Sequence, residues 1–456
     1  MIRVLTHPVY RLLFSAQVVA LLGTGLLTVA LSLLAFDLAG PKAGAVLGTV
    51  YAIKMVAYVG LSPITGALAE RLPRKQVLIG ADLLRAAVAL ALPFIDAVWH
   101  VYVLIFLLQA ASATFTPAFQ ATIPDILPEE EDYTRALSLS RLAYDLENLL
   151  SPALAGVLLL VMSYNGLFVG TVAGFLGSAL LVLASPLGPR VRSDKAANRS
   201  FADRLTRGAR IYLATPRLRG LLSFNLAAAA AGAFVLVNTV VIVRGDAAQG
   251  GMGRDDTGVA LAMAAFGAGS MLAALALPRL LARVGDRPVM AAGAGALAML
   301  TLGYGLRAGF GGQVLPWLAL LGLWAAMGLA YGAVLTPSGR LLRRSSHAED
   351  RQAVFTAQFA LSHACWLITY PVAGWVGQSL GLGPAAVALG LTALAGTWAG
   401  LRLWPAGDPE VLQHAHPGLP KDHPHLRQTP AADGTRRVHA HPFVIDDEHR
   451  VWPTHG

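Results

Sequence analysis

Four ionisable side chains fall in the middle of stretches of about 20 apolar residues: Lys54, Asp145, Glu147 and His363. Counted at 1.5 Å per residue from the nearest polar loop, Lys54 lies about 18 Å deep and Asp145 and His363 about 15–16 Å. A charge at that depth in lipid is expensive and marks a functional position by default. A carboxyl group held there is suited to exchanging a proton or a cation. Helical geometry separates the roles. Arg141 and Asp145 are four apart and share a face, with Asn148 beside them. Asp145 and Glu147 are two apart and point to different sides, as do His363 and Cys365. The plainer alternative makes Asp145–Arg141 and Glu147–Lys54 structural ion pairs and His363 a packed core residue. Cys365 reads as a small apolar packing residue, and as the single cysteine it excludes an intrachain disulfide.

A second chemistry-bearing group lies at the end of the chain. His414, His416, His423, His425, His439, His441, His449 and His455 are eight of its twelve histidines, and six of them form three H-x-H pairs. A flexible H-x-H pair can place two imidazoles on one ion, and neutral imidazole suits nickel, cobalt, copper or zinc. Asp422, Asp446, Asp447 and Glu448 add oxygen donors. The alternative is a solvated, proline-rich tail whose histidines serve another purpose.

The elements that carry these groups follow from composition. Of 456 residues, 55% are hydrophobic and 13% charged, where a soluble chain carries roughly a quarter charged. The apolar stretches lack the alternation of barrel strands, so only helices can satisfy their backbone in lipid. Twelve spans are predicted: 10–36, 44–68, 76–95, 99–118, 135–161, 165–186, 218–243, 257–278, 288–306, 314–336, 352–378 and 384–404. The first is too long, and lacks the small-residue site, for a cleaved signal. Basic residues collect in one set of loops: Arg71, Arg74 and Lys75; Arg279, Arg283 and Arg287; Arg340, Arg343, Arg344 and Arg351; and the long central loop. Alternate loops hold little beyond Lys42, Arg244, Arg254 and Arg307. That asymmetry predicts cytoplasmic termini. It also accounts for the net charge of +9 without nucleic-acid binding.

The chain divides into a six-helix bundle (1–189), a linker (190–217), a second bundle (218–404) and the histidine-rich tail (405–456). Apolar and basic residues alternate at helical spacing from Phe201 to Tyr212, which predicts an amphipathic helix on the inner membrane surface. The halves echo each other. Thr116-Pro117 matches Thr336-Pro337, and Pro152 with Gly156 matches Pro371 with Gly374, an offset of about 219 residues.

Between the second and third spans lie Gly66, Glu70, Arg71, Arg74 and Lys75, followed by Asp82 and Arg85. This stretch resembles the signature loop of the major facilitator superfamily, with glutamate where aspartate is usual and Pro73 where a second glycine is usual. Arg283-Val-Gly-Asp286-Arg287 keeps the acid–arginine core in the second half, and Leu150-Ser151-Pro152-Ala-Leu-Ala-Gly156 is a degraded form of the antiporter motif. The resemblance implies an all-α fold of two six-helix pseudo-repeats, with these residues as an inner gate. With the tail, the chain resembles the nickel-resistance branch of that superfamily.

No phosphate loop, H-E-x-x-H or G-x-S-x-G motif is present, so a built-in ATPase, protease or hydrolase is not expected. The Gly293–Gly295 pair reads as helix packing. The expectation is a multi-pass monomer of the inner (plasma) membrane, with no enzyme activity and no cofactor. Its partners are lipid, protons and a transported solute, and it exports a divalent metal, nickel or cobalt first, in exchange for protons. Export of amphiphilic drugs or siderophores is the alternative, and a non-transporting metal sensor a third.

Overall fold

The computed structural model describes residues 2–61, 73–127, 154–187, 201–246, 251–311, 315–347, 350–408, 411–415, 438–446 and 451–453, with residues 129, 132, 136, 139–140, 143–144, 151 and 449. Its long helices are α1 (Pro8–Ala39), α2 (Ala43–Val56), α3 (Arg74–Ala91), α4 (Val98–Ile126) and α5 (Asn165–Ala184) in the first half. The linker forms α6 (Phe201–Ala214). The second half has α7 (Pro216–Arg244), α8 (Asp256–Val284), α9 (Asp286–Gly311), α10 (Trp317–Leu335), the short α11 (Ser338–Arg344), α12 (Arg351–Pro371) and α13 (Leu382–Leu403). Two strands follow, β1 (Val411–Ala415) and β2 (Val438–Pro442). Among the described residues, nine helical stretches are long and apolar enough to cross a membrane.

Local chemistry sets the helix ends. Pro8 opens α1, where its missing N–H is harmless. Asp255 caps α8 by accepting from the Gly258 N–H at 3.0 Å. Pro371 closes α12, and the backbone passes through a π turn at Val372–Val376 before Gly377–Leu380. Proline lacks the donor that would continue the α ladder, so the register slips there.

Packing places α7 at the centre, with Phe224, Phe234 and Val237 wholly buried. In the first half α1 and α5 touch at Gly23 and Gly174, where a Cβ on Gly174 would meet the Gly23 Cα at 2.9 Å. Small residues at such crossings let helices pack where no hydrophobic drive exists between them. Large apolar side chains such as Phe94, Leu180, Leu275, Leu318 and Trp398 stay exposed on the periphery. In a bilayer that belt is solvated by lipid.

Helix α6 departs from the sequence expectation. It is amphipathic, yet its inner face lies against protein: Arg207, Ile211 and Tyr212 are buried. Arg207 forms a two-pronged pair with Asp350, at 2.5 and 2.9 Å, just before α12. Tyr212 donates to Gln358 of α12. A bidentate arginine–carboxylate pair needs fixed geometry, which a lipid surface does not provide.

Candidate functional site: a buried arginine in the first-half cavity

Arg74 begins α3, so Asp82 and Arg85 lie about 12 and 16 Å along it. Asp82 is wholly buried and Arg85 is 5% exposed. Asp82 accepts from Arg85 Nη2 and from Ser178 Oγ of α5, the latter at 2.7 Å. The guanidinium carbon sits 4.3 Å from the Phe115 ring centre and 4.6 Å from that of Phe175. Two aromatic rings thus pack against the cation, which a guanidinium tolerates well. Arg85 borders a cavity with Gln17, Thr24, Thr116, Phe119 and Tyr144. Helices α1, α3 and α4 supply most of its wall.

The second group centres on Tyr58, at the π turn that ends α2. Lys54 Nζ lies 5.5 Å from the Tyr58 ring centre. His363 packs edge-on to Tyr58 at 5.2 Å and against Phe359 at 4.0 Å. Its Nδ1 lies 2.6 Å from the Phe359 carbonyl oxygen, so Nδ1 donates the hydrogen. Cys365 is buried and directs Sγ to the Leu361 carbonyl at 3.6 Å. The structure therefore brings Lys54 and His363 to one tyrosine. Asp145, Glu147 and Arg141 lie outside the described residues, as do Gly66, Glu70 and Arg71. Of the rest of the loop motif, Lys75 donates to the Ser185 carbonyl at 3.0 Å, tying α3 to the end of α5.

The two halves meet tightly at the end away from the arginine-rich loops. A Cβ on Gly48 of α2 would lie 2.7 Å from the Tyr370 carbonyl oxygen and 2.9 Å from the Gly374 Cα. Trp375 Nε1 donates to Thr49 Oγ1 at 3.1 Å, and Asn238 Nδ2 to the Ala373 carbonyl at 3.1 Å. Arg244 at the end of α7 reaches Asp37 of α1 and Asp256 of α8, each at 3.2 Å.

Among the described residues of the tail, two strands form. Strands β1 and β2 pair antiparallel, with His414 opposite His439 and Leu412 opposite His441. Phe443, Val444 and Ile445 are buried, and so is His449. Asp446 accepts from the His449 backbone N–H at 2.7 Å and lies 2.9 Å from His449 Nδ1 and 3.2 Å from His347 Nε2. Burial pushes the Asp446 carboxyl up, but hydrogen bonds from His347 and His449 outweigh it and hold it well below the usual carboxylate range. Arg217 of α7 donates to Ser345 Oγ at 2.8 Å and to the Phe443 carbonyl at 3.3 Å. His416, His423, His425 and His455 lie outside the described residues. Among the described residues, no group of three or more His, Cys, Asp or Glu could hold a metal ion.

Residues 13–253, more than half of the chain, match the Major Facilitator Superfamily. The chain belongs to that superfamily. Relatives in it include macrolide efflux protein A of Enterococcus faecalis, 32% identical over 144 residues, which are 30% of this chain and 44% of that protein. Macrolide efflux protein A of Streptococcus pyogenes is 28% identical over 189 residues, 40% of this chain and 46% of that protein. The matched stretch spans less than half the length of these relatives. Among solved structures, the nucleoside transporter NupG superposes with a TM-score of 0.63 at 14% identity, over 86% of this chain and all of that one. A POT family transporter in complex with a thioalcohol-conjugated peptide gives 0.66 at 12%, over 85% of this chain and 94% of that one. These likenesses establish the superfamily fold and a multi-pass membrane protein.

In this superfamily member Asp82 and Arg85, which the sequence groups with the inner-gate motif, stand on α3 and are buried in the first half. Arg85 is eleven positions past Arg74, about three helical turns along α3. Gln17, Thr24, Phe115, Thr116, Phe119 and Tyr144 were missed. Single polar or aromatic residues on apolar helices carry no spacing signal that separates cavity wall from packing.

Proposed function

We propose that the protein is a secondary exporter of amphiphilic organic compounds, working by alternating access and driven by a proton gradient. The observation that carries this reading is the cavity at Arg85. Aromatic rings at Phe115, Phe119 and Tyr144 alternate there with donors and acceptors at Gln17, Thr24 and Thr116. A pocket whose wall mixes aromatic surface with fixed hydrogen-bonding groups in similar measure suits an amphiphile better than a bare metal ion, which needs several oxygen, nitrogen or sulfur ligands at once. The macrolide efflux relatives agree with that substrate class. The protein would have twelve spans in the inner membrane with both termini in the cytoplasm. Asp145 or Glu147 would take up the exchanged proton, and the loop bearing Gly66, Glu70 and Arg71 would gate the inner mouth. The far-end closure at Gly48 and Gly374 would then face outward.

A second reading, export of nickel or cobalt, keeps one observation in its favour. The backbone register sets His414 opposite His439, one histidine from each of two H-x-H pairs. One growth experiment separates the two. The chain is expressed in a pump-deficient bacterial strain and challenged with macrolides, cationic dyes, nickel and cobalt, alongside a variant with all eight tail histidines changed to alanine. Resistance to the organic compounds that survives loss of the histidines supports the first reading. Resistance to nickel or cobalt alone, lost with the histidines, replaces it with the second.

A further inference from the structure

Among the described residues, Arg85 has one hydrogen-bond partner: its Nη2 is taken by Asp82, while the Phe115 and Phe175 rings pack against the guanidinium. Its Nε is buried with no hydrogen-bond partner among the described residues. The side chain as a whole is 5% exposed and borders the cavity that Thr24, Thr116 and Tyr144 also line. A buried donor left unmade is costly, and most for a charged group. The N–H groups of a guanidinium lie in its plane, so a hydrogen-bonding partner for Nε approaches in that plane.

The charge balance narrows what that partner is. Arg85 and Asp82 already form a neutral pair in a low-dielectric setting. Among the described residues that line the cavity no other charge stands beside this pair, so a carboxylate ligand would bring an uncompensated negative charge and a cation would face the guanidinium directly. A carbonyl oxygen accepts an N–H without altering the net charge. We propose that Arg85 is the specificity-determining residue of the cavity, donating in plane to an uncharged carbonyl (lactone, ester or amide) of an amphiphilic substrate whose apolar body packs on Phe115 and Phe119. This inference rests on the amphiphile reading and narrows it: the exporter prefers carbonyl-bearing neutral amphiphiles over equally apolar ones without the carbonyl.

The test uses the full chain, purified in nanodiscs, and three matched dyes. They are 7-diethylaminocoumarin (a neutral lactone), the corresponding 7-diethylamino-2H-chromene lacking the carbonyl, and the 3-carboxylate of the coumarin. The lactone is expected to bind at least about tenfold more tightly than the chromene, since a hydrogen bond to a charged donor is at stake. It is also expected to bind more tightly than the carboxylate. In the double variant Asp82→Leu/Arg85→Met, which leaves no lone buried charge, the lactone-to-chromene ratio is expected to fall to about one while the chromene still binds. The comparison of dyes on the unsubstituted protein needs no variant and stands even if the variant fails to fold. Equal binding of lactone and chromene, a preference for the carboxylate, or a ratio that survives the double substitution would overturn the inference. Export is read separately in vesicles. A protein that exports the chromene and lactone alike keeps its amphiphile function and loses this assignment, whereas one that binds and exports none of the three loses both.

Discussion

Gly48 of α2 packs backbone to backbone on Gly374 of the π turn after α12. The hydrogen bond from Trp375 to Thr49 crosses the same seam, and the one from Asn238 to Ala373 braces its second-half side. Nothing larger than hydrogen fits between these backbones without moving one of the halves. Under the proposed alternating access the seam parts in the other state, and its tightness would set how long the far end stays shut.

Gly48→Val is expected to hold the seam partly open and to cut efflux at least about tenfold, with little loss of folded protein. The check pairs an efflux assay with the labelling rate of Thr49→Cys, placed in a Cys365→Ser background so that it is the one thiol. Faster labelling with lost efflux is the expected pattern. Unchanged labelling would mean that the seam is not where the far end closes.

The Asp82–Arg85 pair makes a stability prediction independent of substrate. Asp82→Ala leaves a buried guanidinium uncompensated, a defect of about 3–5 kcal/mol. Little monodisperse protein is expected on size-exclusion chromatography. Removing both charges, as in Asp82→Leu/Arg85→Met, is expected to restore most of the yield.

The tail's attachment has a calculable pH response. The Asp446 carboxyl is held below its unfolded value of about 3.9. A depressed carboxyl contributes stability that is fully present above the unfolded value and is lost as pH falls through the folded one. Docking through Asp446 is therefore expected to persist from pH 8 down to pH 5. Limited proteolysis should spare residues 438–453 across that range in the wild type. In Asp446→Asn, which cannot carry the charge, cleavage there is expected even at pH 7.

His363 offers a further check. With Nδ1 donating to the Phe359 carbonyl and the ring held by Tyr58 and Phe359, the imidazole is fixed beside Lys54. His363→Ala is expected to reduce efflux severely, and Cys365→Ser, which removes only a weak donor to Leu361, to be mild. Vesicle efflux of the two variants at matched expression decides it.

How much of this was legible beforehand varies by residue. The long helices were, because lipid leaves a backbone no partner but itself, so hydropathy alone marks them. The expected span 99–118 grew to Val98–Ile126, since a helix continues past the apolar window where its residues still pack. Pro371 and Gly374 were singled out as a repeat mark; their role at the closed seam needed the neighbouring Gly48. The paired strands in the tail were not foreseen because histidine and proline dominate its composition. Val411-Leu-Gln-His-Ala and Val438-His-Ala-His carried a strand-like pattern, and Phe443-Val-Ile445 an apolar run fit for burial. The docking of α6 on α12 was illegible for a different reason. A hydrophobic face says that it will be covered, not whether lipid or protein covers it.

The most direct measurement of the central claim is uphill transport by the pure protein. Reconstituted into liposomes with a pH gradient imposed across the membrane, it is expected to concentrate 7-diethylaminocoumarin and a radiolabelled macrolide several-fold against their gradients. A protonophore should abolish the accumulation, and nickel should not move. Nickel or cobalt accumulation with no movement of either organic compound above protein-free liposomes would contradict it.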